Sequence, residues 1–305
     1  MKNNSVKPIL VTGVGGKVGG IGQKIVANLL QEGATVRALL FDDKEIANEL
    51  EQQGVEIVMG DLTDLNDVHR AIKGCERMYF GMAVSSQYLE ATVNTAAVAK
   101  YYDIQTFVNI SQMTVSQMSI TETTPSPQQK LQWLSEQVLN WSGLPVVDVR
   151  STVLLENPLF YLLAQDTLKK SGELRLPFGS ARTSPIAASD VAFAISKILL
   201  NPGSHIGKIY ELTGAKSQTM NEIAEEYSRG LGKKITYVDI PYNEWLANEL
   251  DPKGLPEHVR KHIAAMALLH QQNRYDRYTQ DFKFITGREP ISIEKWVSSV
   301  RNNFT

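Results

Sequence analysis

Apolar residues in this chain come in short β-branched runs, separated by stretches in which they recur every three to four positions. Residues 9–12 read ILVT, and soon afterwards Ile25, Val26, Leu29 and Leu30 fall at helical spacing. The alternation continues with strand-like runs at 35–41, 55–59, 77–80, 106–110 and 145–150. Helix-like stretches at 23–31, 44–52, 65–72, 86–102 and 126–141 lie between them. Strands alternating with helices over short connections predict an α/β fold, a doubly wound parallel sheet with helices on both faces. Beyond 150 the order loosens. Helical pieces (159–170, 189–200, 220–231, 256–274) mix with short strands (173–176, 208–212, 235–239) and a small C-terminal unit at 287–302. The expected division is therefore a core of residues 1–155 and a smaller, mixed but mainly helical lobe of residues 156–305. Some segments of that lobe are expected to return to the core sheet, and a substrate cleft is expected between the two parts.

Between the first strand and the first helix lies VTGVGGKVGGIG, with glycines at 13, 15, 16, 19, 20 and 22. Two registers of the G-x-x-G-x-x-G pattern fit, one starting at Gly13 and one at Gly16. The strand end suits the first register and the apolar helix positions suit the second. A loop longer than usual by three residues reconciles them. Glycines in this place let a backbone approach a pyrophosphate, and the free N–H groups and positive end of the helix face the anion. The expected contacts are Gly13 at the strand end and the amides of Gly16, Gly19, Gly20, Ile21 and Gly22, with Lys17 adding charge. A flexible loop without a ligand is the alternative, at an entropic cost that so many glycines would not recover.

An acid about twenty residues beyond the last glycine accepts hydrogen bonds from a ribose 2′-hydroxyl and repels a 2′-phosphate. Asp42 stands at that distance from Gly22, with Asp43 beside it, and NAD(H) is favoured over NADP(H). Arg37 and Lys44 are the cations that still favour a phosphate, and the competing role for Asp42 is to cap the next helix.

Composition narrows the class. Apolar residues make up 43% of the 305 and charged residues 21%, as in ordinary globular proteins. A net charge of −2 gives no electrostatic reason to expect nucleic acid or an anionic membrane. The single cysteine, Cys75, allows no internal disulfide and suits a reducing compartment. The start, MKNNSVKP, is too short and polar for a signal peptide, and no run of apolar residues is long enough to span a bilayer. A cytoplasmic location is expected. His258 and His262 are spaced i, i+4, but neither an HExxH pattern nor a third ligand accompanies them, so no metal is expected.

The segments VTGVGGKVGGIG, VRALLFDD, VEIVMGDLTD, FVNISQM, NWSGLPVVDVRSTVLLENP and YELTG resemble the NmrA-like branch of the atypical short-chain dehydrogenases/reductases. Quinone reductase-like and triphenylmethane reductase-like proteins look closest. The resemblance extends through SPIAASDVA, MNEIAEEYSRGLGKKITYVDIP and FITGREPISIEKWV. It implies a Rossmann core. Many relatives carry an arginine where this chain has Phe41, which again tilts the reading towards NAD(H). Asp61 and Leu62 match the place where the family grips adenine, and Gly81 and Met82 the passage of the chain beside the cofactor ribose.

Short-chain dehydrogenases typically use a serine with a tyrosine and a lysine four residues apart. Ser111 occupies the serine place, while Gln128 and Gln132 occupy the other two. Neither amide can act as phenol or ammonium. Lys130 lies nearby on another side of the helix. Asn157, Phe160 and Tyr161 suit the family's substrate cleft, and Trp245, Met266 and Tyr275 suit either an apolar roof or simple core. The resemblance thus implies an NAD(P)H-dependent reductase of a small conjugated acceptor (quinone, dye or enone-like) working without the tyrosine and lysine. The alternative is a non-catalytic dinucleotide-binding redox sensor. The sequence leaves the oligomeric state open.

Overall fold

The computed structural model describes residues 7–16 and 18–304, and Lys17 lies outside the described residues. In chain order the elements are β1 (Ile9–Val11), α1 (Ile21–Gln31), β2 (Val36–Leu40), α2 (Lys44–Gln52), β3 (Glu56–Met59), α3 (Leu65–Ile72), β4 (Arg77–Phe80) and α4 (Tyr88–Tyr101). There follow β5 (Thr106–Gln112), α5 (Pro127–Trp141), β6 (Val146–Ser151), α6 (Leu162–Lys170), β7 (Glu173–Leu176), β8 (Arg182–Thr183), α7 (Ala188–Leu200) and β9 (Ile209–Leu212). The chain ends through β10 (Gln218–Thr219), α8 (Met220–Leu231), β11 (Thr236–Asp239), α9 (Tyr242–Trp245), α10 (Glu257–Gln271), α11 (Asp281–Thr286) and α12 (Ile293–Ser299).

Seven strands form one sheet in the order β3-β2-β1-β4-β5-β6-β9. The pairs β1 with β2, β1 with β4, β2 with β3 and β4 with β5 are parallel. Winding runs outward from β1 in both directions, so the order reverses between β1 and β4. Ligands of such sheets sit outside the carboxyl ends of the strands at that reversal. Both faces are covered, which is why β1 and most of β4 are apolar at every position rather than alternating.

The chain divides into two compact units. The first comprises residues 1–111, 131–150 and 191–210. On one face of its sheet Leu10, Leu39, Met78, Phe80 and Phe107 pack with Val68, Ile72, Tyr88, Ala91 and Leu139 from α3, α4 and α5. Cys75 is buried within this cluster, and burial pushes its thiol up to about 11. On α1 the buried residues include Ile25, Val26 and Leu29. Arg77 donates to the carbonyls of Leu199 and Leu200 at 2.9 and 3.0 Å, so a β4 side chain satisfies the otherwise open C-terminal end of α7.

The second unit comprises residues 112–130, 151–190 and 211–305. Its core gathers Phe160, Phe178, Tyr227, Trp245, Tyr275, Trp296 and Phe304. β7 pairs with β11 in parallel and β8 with β10 antiparallel. A capping box of Thr219 and Glu222 starts α8. Gly230 lets α12 lie close: a Cβ there would stand 2.8 Å from the Glu294 carbonyl oxygen.

The sheet and the mainly helical remainder follow the pattern read from the sequence, with differences at element ends. β2 stops at Leu40, leaving Phe41 72% exposed. β5 runs on to Gln112, and α1 begins at Ile21 because Gly20 turns left-handed just before it.

Candidate functional site

The site is built at the sheet's reversal point. Thr12, one residue past β1, donates its hydroxyl hydrogen to the Gly81 carbonyl at 2.8 Å and accepts from the Gly81 amide at 2.9 Å. That exchange fixes the ends of β1 and β4 against each other. Gly13 follows with φ +68°, and a Cβ on it would stand 2.5 Å from the Gly81 carbonyl oxygen. Only glycine fits on both counts. At the far end of the loop, a Cβ on Gly22 would stand 2.8 Å from the Gly13 carbonyl oxygen and 2.9 Å from Val14 Cα. Gly13 therefore makes the tight turn and Gly22 the close helix packing, the jobs of the first and last glycines of such a loop. The two registers seen in the sequence are the two ends of one extended loop.

Between those ends the loop is open. A Cβ on Gly15 would meet nothing within 4 Å. α1 has no side-chain cap and no acid in its first turn, whereas neighbouring α2 and α3 are capped by Asp43 and Asp64. The Gly16 amide is taken by the Gly13 carbonyl at 3.2 Å, and the uncapped, uncompensated positive end of α1 beside the glycine loop fits the pyrophosphate of a dinucleotide. Lys24, which sequence reasoning passed over, brings Nζ to 3.7 Å from the Cβ position of Gly20. Its spacing from Gly20, one helical turn, was the available signal.

The two acids after β2 separate cleanly. Asp43 accepts from the Ile46 amide at 3.0 Å and caps α2. Asp42 is exposed and does not cap. Arg37 is committed elsewhere: it pairs with Glu56 at 2.9 Å and donates to the carbonyls of Ala71 and Lys73 at 2.8 and 2.6 Å. It is thus held among Glu56 and the turn that follows α3.

Asp61 uses Oδ1 to accept from the Thr63 amide at 2.8 Å, while its own amide donates to Asp67. Its Oδ2 has no protein donor among the described residues. Asn94, also unforeseen, donates from α4 to the carbonyls of Leu62 and Thr63 at 3.3 and 2.9 Å and so holds this turn. Leu62 and Met82 are partly buried against the same apolar cluster.

Ser111 is buried on β5, and its Oγ has no hydrogen-bond partner. Gln132 is also buried, and its Oε1 is likewise unpartnered. Lys130 is exposed at the start of α5, about 200° around the helix from Gln132 at 100° per residue.

The second unit holds a buried polar chain that the sequence did not announce. Gln129 donates to Gln112 Oε1 at 3.1 Å, the Gln112 amide meets His262 Nε2 at 3.1 Å, and His262 Nδ1 meets Ser126 Oγ at 2.8 Å. Burial depresses His262 to about 3, so the imidazole is neutral. His258 faces Gln128 at 2.9 Å. The two histidines thus serve separate hydrogen bonds, and among the described residues no three acidic, histidine or cysteine side chains form a metal-binding group.

Asn157 caps the following turn by accepting from Leu159 at 3.0 Å. Phe160 has no exposed surface, its ring lying edge-on to Phe178 and His270. Tyr161 packs its ring on Trp296 and Phe304. Trp245, Met266 and Tyr275 are core residues of this unit. Tyr275 stacks on His270 at 3.9 Å between centroids.

A sheet wound both ways from β1, with a glycine loop at its reversal point, defines an α/β protein of the Rossmann class. The chain matches the NmrA-like family over residues 5–303 and belongs to it. An NAD(P)H azoreductase from Xenophilus azovorans is 28% identical over 244 residues, covering 79% of this chain and 81% of that protein. The triphenylmethane reductase of Citrobacter sp. has a similar structure, with a TM-score of 0.81, 19% identity and coverage of 96% and 99%, in a complex with NADP(H). NmrA, a negative transcriptional regulator solved with NAD, aligns with a TM-score of 0.79, 18% identity and coverage of 98% and 96%. No described helix is long and apolar enough to cross a membrane.

Proposed function

We propose that this protein is an NAD(P)H-dependent reductase of a small, flat conjugated acceptor such as a quinone or dye, and that it prefers NADH. The observation that carries the cofactor half is the open loop held between the Thr12–Gly81 clamp and the close packing at Gly22. The pyrophosphate would rest on the amides from Gly19 to Gly22 with Lys24 adding charge, the adenosine ribose on Asp42, and adenine against Asp61 and Leu62. The bound nicotinamide would supply a hydride, and the protein's task is to orient acceptor and cofactor and keep water out.

The preference for NADH rests on Asp42 being exposed and not used as a cap, together with Arg37 being held by Glu56 and the turn after α3. An exposed carboxylate welcomes a 2′-hydroxyl and repels a 2′-phosphate. The acceptor class is supported by the names of similar proteins, which reduce azo and triphenylmethane compounds. It is also supported by the glutamines at the usual tyrosine and lysine places, since a conjugated acceptor can take hydride by positioning without a phenol at hand.

The test is to follow absorbance of NADH and NADPH in the presence of quinones, azo dyes and triphenylmethane dyes. Turnover of at least one acceptor, faster with NADH, is expected. Tight cofactor binding without any turnover would replace this reading with that of a dinucleotide-binding regulator, the description carried by NmrA.

A further inference from the structure

One chain of hydrogen bonds in the second unit closes into a ring. Gln129 Nε2 donates to Gln112 Oε1 at 3.1 Å, and the Gln112 amide nitrogen meets His262 Nε2 at 3.1 Å. His262 Nδ1 meets Ser126 Oγ at 2.8 Å, and Ser126 Oγ accepts from the Gln129 backbone N–H at 3.1 Å. Ser126, Gln129 and His262 are buried and Gln112 is half-buried. All lie within the second unit, and none belongs to the cofactor site described above.

The direction of the ring follows from what each atom can do. Gln112 Oε1 accepts, so Gln112 Nε2 is the donor to His262 Nε2. His262 then carries its proton on Nδ1 and donates to Ser126. Run this way, the Ser126 hydroxyl hydrogen has no acceptor in the ring, and Gln129 Oε1 is buried without a partner. The Tyr275 hydroxyl, 3.5 Å from Gln129 Nε2, accepts from it.

The same heavy atoms serve equally well in reverse. With both amides turned end for end, Gln112 and the Tyr275 hydroxyl donate to Gln129 Oε1, His262 Nε2–H donates to Gln112 Oε1, and the Ser126 hydroxyl donates to His262 Nδ1. The imidazole gives its Nδ1 proton to water and takes one at Nε2, with no net change in charge. Burial, and then the charge of His258, keeps it neutral in either form. Both directions leave one atom over, the outer end of the Gln129 amide. It is an acceptor in the first direction and a donor in the second. Thr114, Thr152 and Ser184 also carry buried hydroxyls without partners, and Trp245 a buried indole N–H. Hydroxyls rotate to suit and the indole only donates, whereas the Gln129 end changes role with the tautomer of His262.

We propose that the outer end of the Gln129 amide holds a polar atom of the conjugated acceptor, and that the ring reverses when reduction turns that atom from a hydrogen-bond acceptor into a donor. This deepens the reductase reading above and rests on it. Hydride from NADH and a proton from water convert a quinone into a hydroquinone, and NAD+ leaves. Each carbonyl oxygen, which only accepts, becomes a hydroxyl that donates. The carbonyl form selects the reversed ring and the hydroxyl form the direction first described. Gln129 touches the ligand, while Gln112, His262 and Ser126 are positioning residues that let one amide suit substrate and product alike. Quinones and azo compounds are favoured over triphenylmethane dyes, because in the dyes hydride lands on carbon and no polar atom changes role.

Nitrogen NMR of protein carrying isotope-labelled histidine tests this, since one-bond N–H coupling shows which nitrogen of His262 holds the proton. NAD+ is kept bound so that no turnover occurs, and His262→Asn identifies the signal. Saturating 1,4-naphthoquinone, which only accepts, is expected to place the proton on Nε2. Saturating 1-naphthol, which donates, is expected to place it on Nδ1. Gln129→Leu should weaken both compounds about tenfold, the size of one hydrogen bond, and leave NADH affinity unchanged. Gln112→Glu supplies a carboxylate that accepts from both neighbours and fixes Gln129 Oε1 outward. It should weaken 1,4-naphthoquinone and spare 1-naphthol, where a merely structural ring would lose both together or neither. Thermal melts check the folding of each variant, and the wild-type tautomer measurement stands without them. Any other placement of the proton, or a failure of either compound to bind, overturns the inference. Wild-type protein that binds no NADH, or oxidises it with no acceptor, would instead overturn the reductase reading beneath it.

Discussion

Thr12 and Gly81 exchange two hydrogen bonds, of 2.8 and 2.9 Å, across the point where the sheet reverses its winding. A single hydroxyl thus satisfies both backbone groups of a residue that must stay bare, because a Cβ on Gly81 would run into the Tyr79 ring. Thr12→Val keeps the shape but leaves the Gly81 N–H and C=O unpaired in a buried place. A loss of about 2 kcal/mol is expected, with Thr12→Ser recovering most of it. Denaturant melts of the two variants check this, and equal stability of Thr12→Val and wild type would show that the clamp contributes nothing.

Gly15 and Gly22 share a loop but should respond in opposite ways to alanine. At Gly22 the new methyl would meet backbone at 2.8 and 2.9 Å, and backbone cannot swing aside. Gly22→Ala is expected to destabilise the protein by roughly 1–3 kcal/mol through overpacking. At Gly15 the methyl meets no protein atom within 4 Å. Gly15→Ala should melt like the wild type yet bind NADH at least several-fold more weakly, since the methyl takes space meant for phosphate. Differential scanning calorimetry beside fluorescence titration of NADH separates the two effects.

Neighbouring acids after β2 are expected to have separable roles. Asp43→Ala removes the cap of α2 and should cost about 1 kcal/mol of stability without altering the preference between NADH and NADPH. Asp42→Ala should leave stability alone and weaken NADH by roughly 1.5–3 kcal/mol, the size of a hydrogen bond to a charged group, while improving NADPH relative to it. Dissociation constants for both coenzymes with each variant decide the matter. A wild type that binds NADPH more tightly would remove the role given to Asp42.

Much of this was legible locally. The strands, the glycine loop with its two registers, and the acid pair all announce themselves within a few residues of sequence. Where function turns on partners far apart in the chain, sequence offered no signal. Nothing near Arg37 shows that the turn after α3 will claim it, and nothing near Gln112 shows that Gln129 and His262 will meet it. His258 and His262 illustrate the converse: their spacing puts them on one helix face, yet each meets a different partner. Even the acid pair needed structure, because spacing alone cannot say which of two adjacent carboxylates turns back to cap a helix.

Asp148 makes stability depend on pH in a direction opposite to that of an ion-paired acid. Burial, with Glu136 nearby, raises its carboxyl from 3.8 to about 7, against the favourable hydrogen bond from Asn109 and the charge of Arg150. The folded state therefore holds a proton that the unfolded chain releases between those two values. Stability falls as pH rises through that window, and the full penalty is present above about pH 7. Asp148→Asn keeps an oxygen for the Asn109 amide and cannot ionise. It should melt higher than the wild type at pH 8, and the advantage should shrink steadily as pH is lowered towards 5. Thermal melts of both proteins from pH 8 to 5 measure this. An advantage that stayed constant or grew on acidification would mean that Asp148 is already ionised at low pH and that Arg150, rather than burial, governs it.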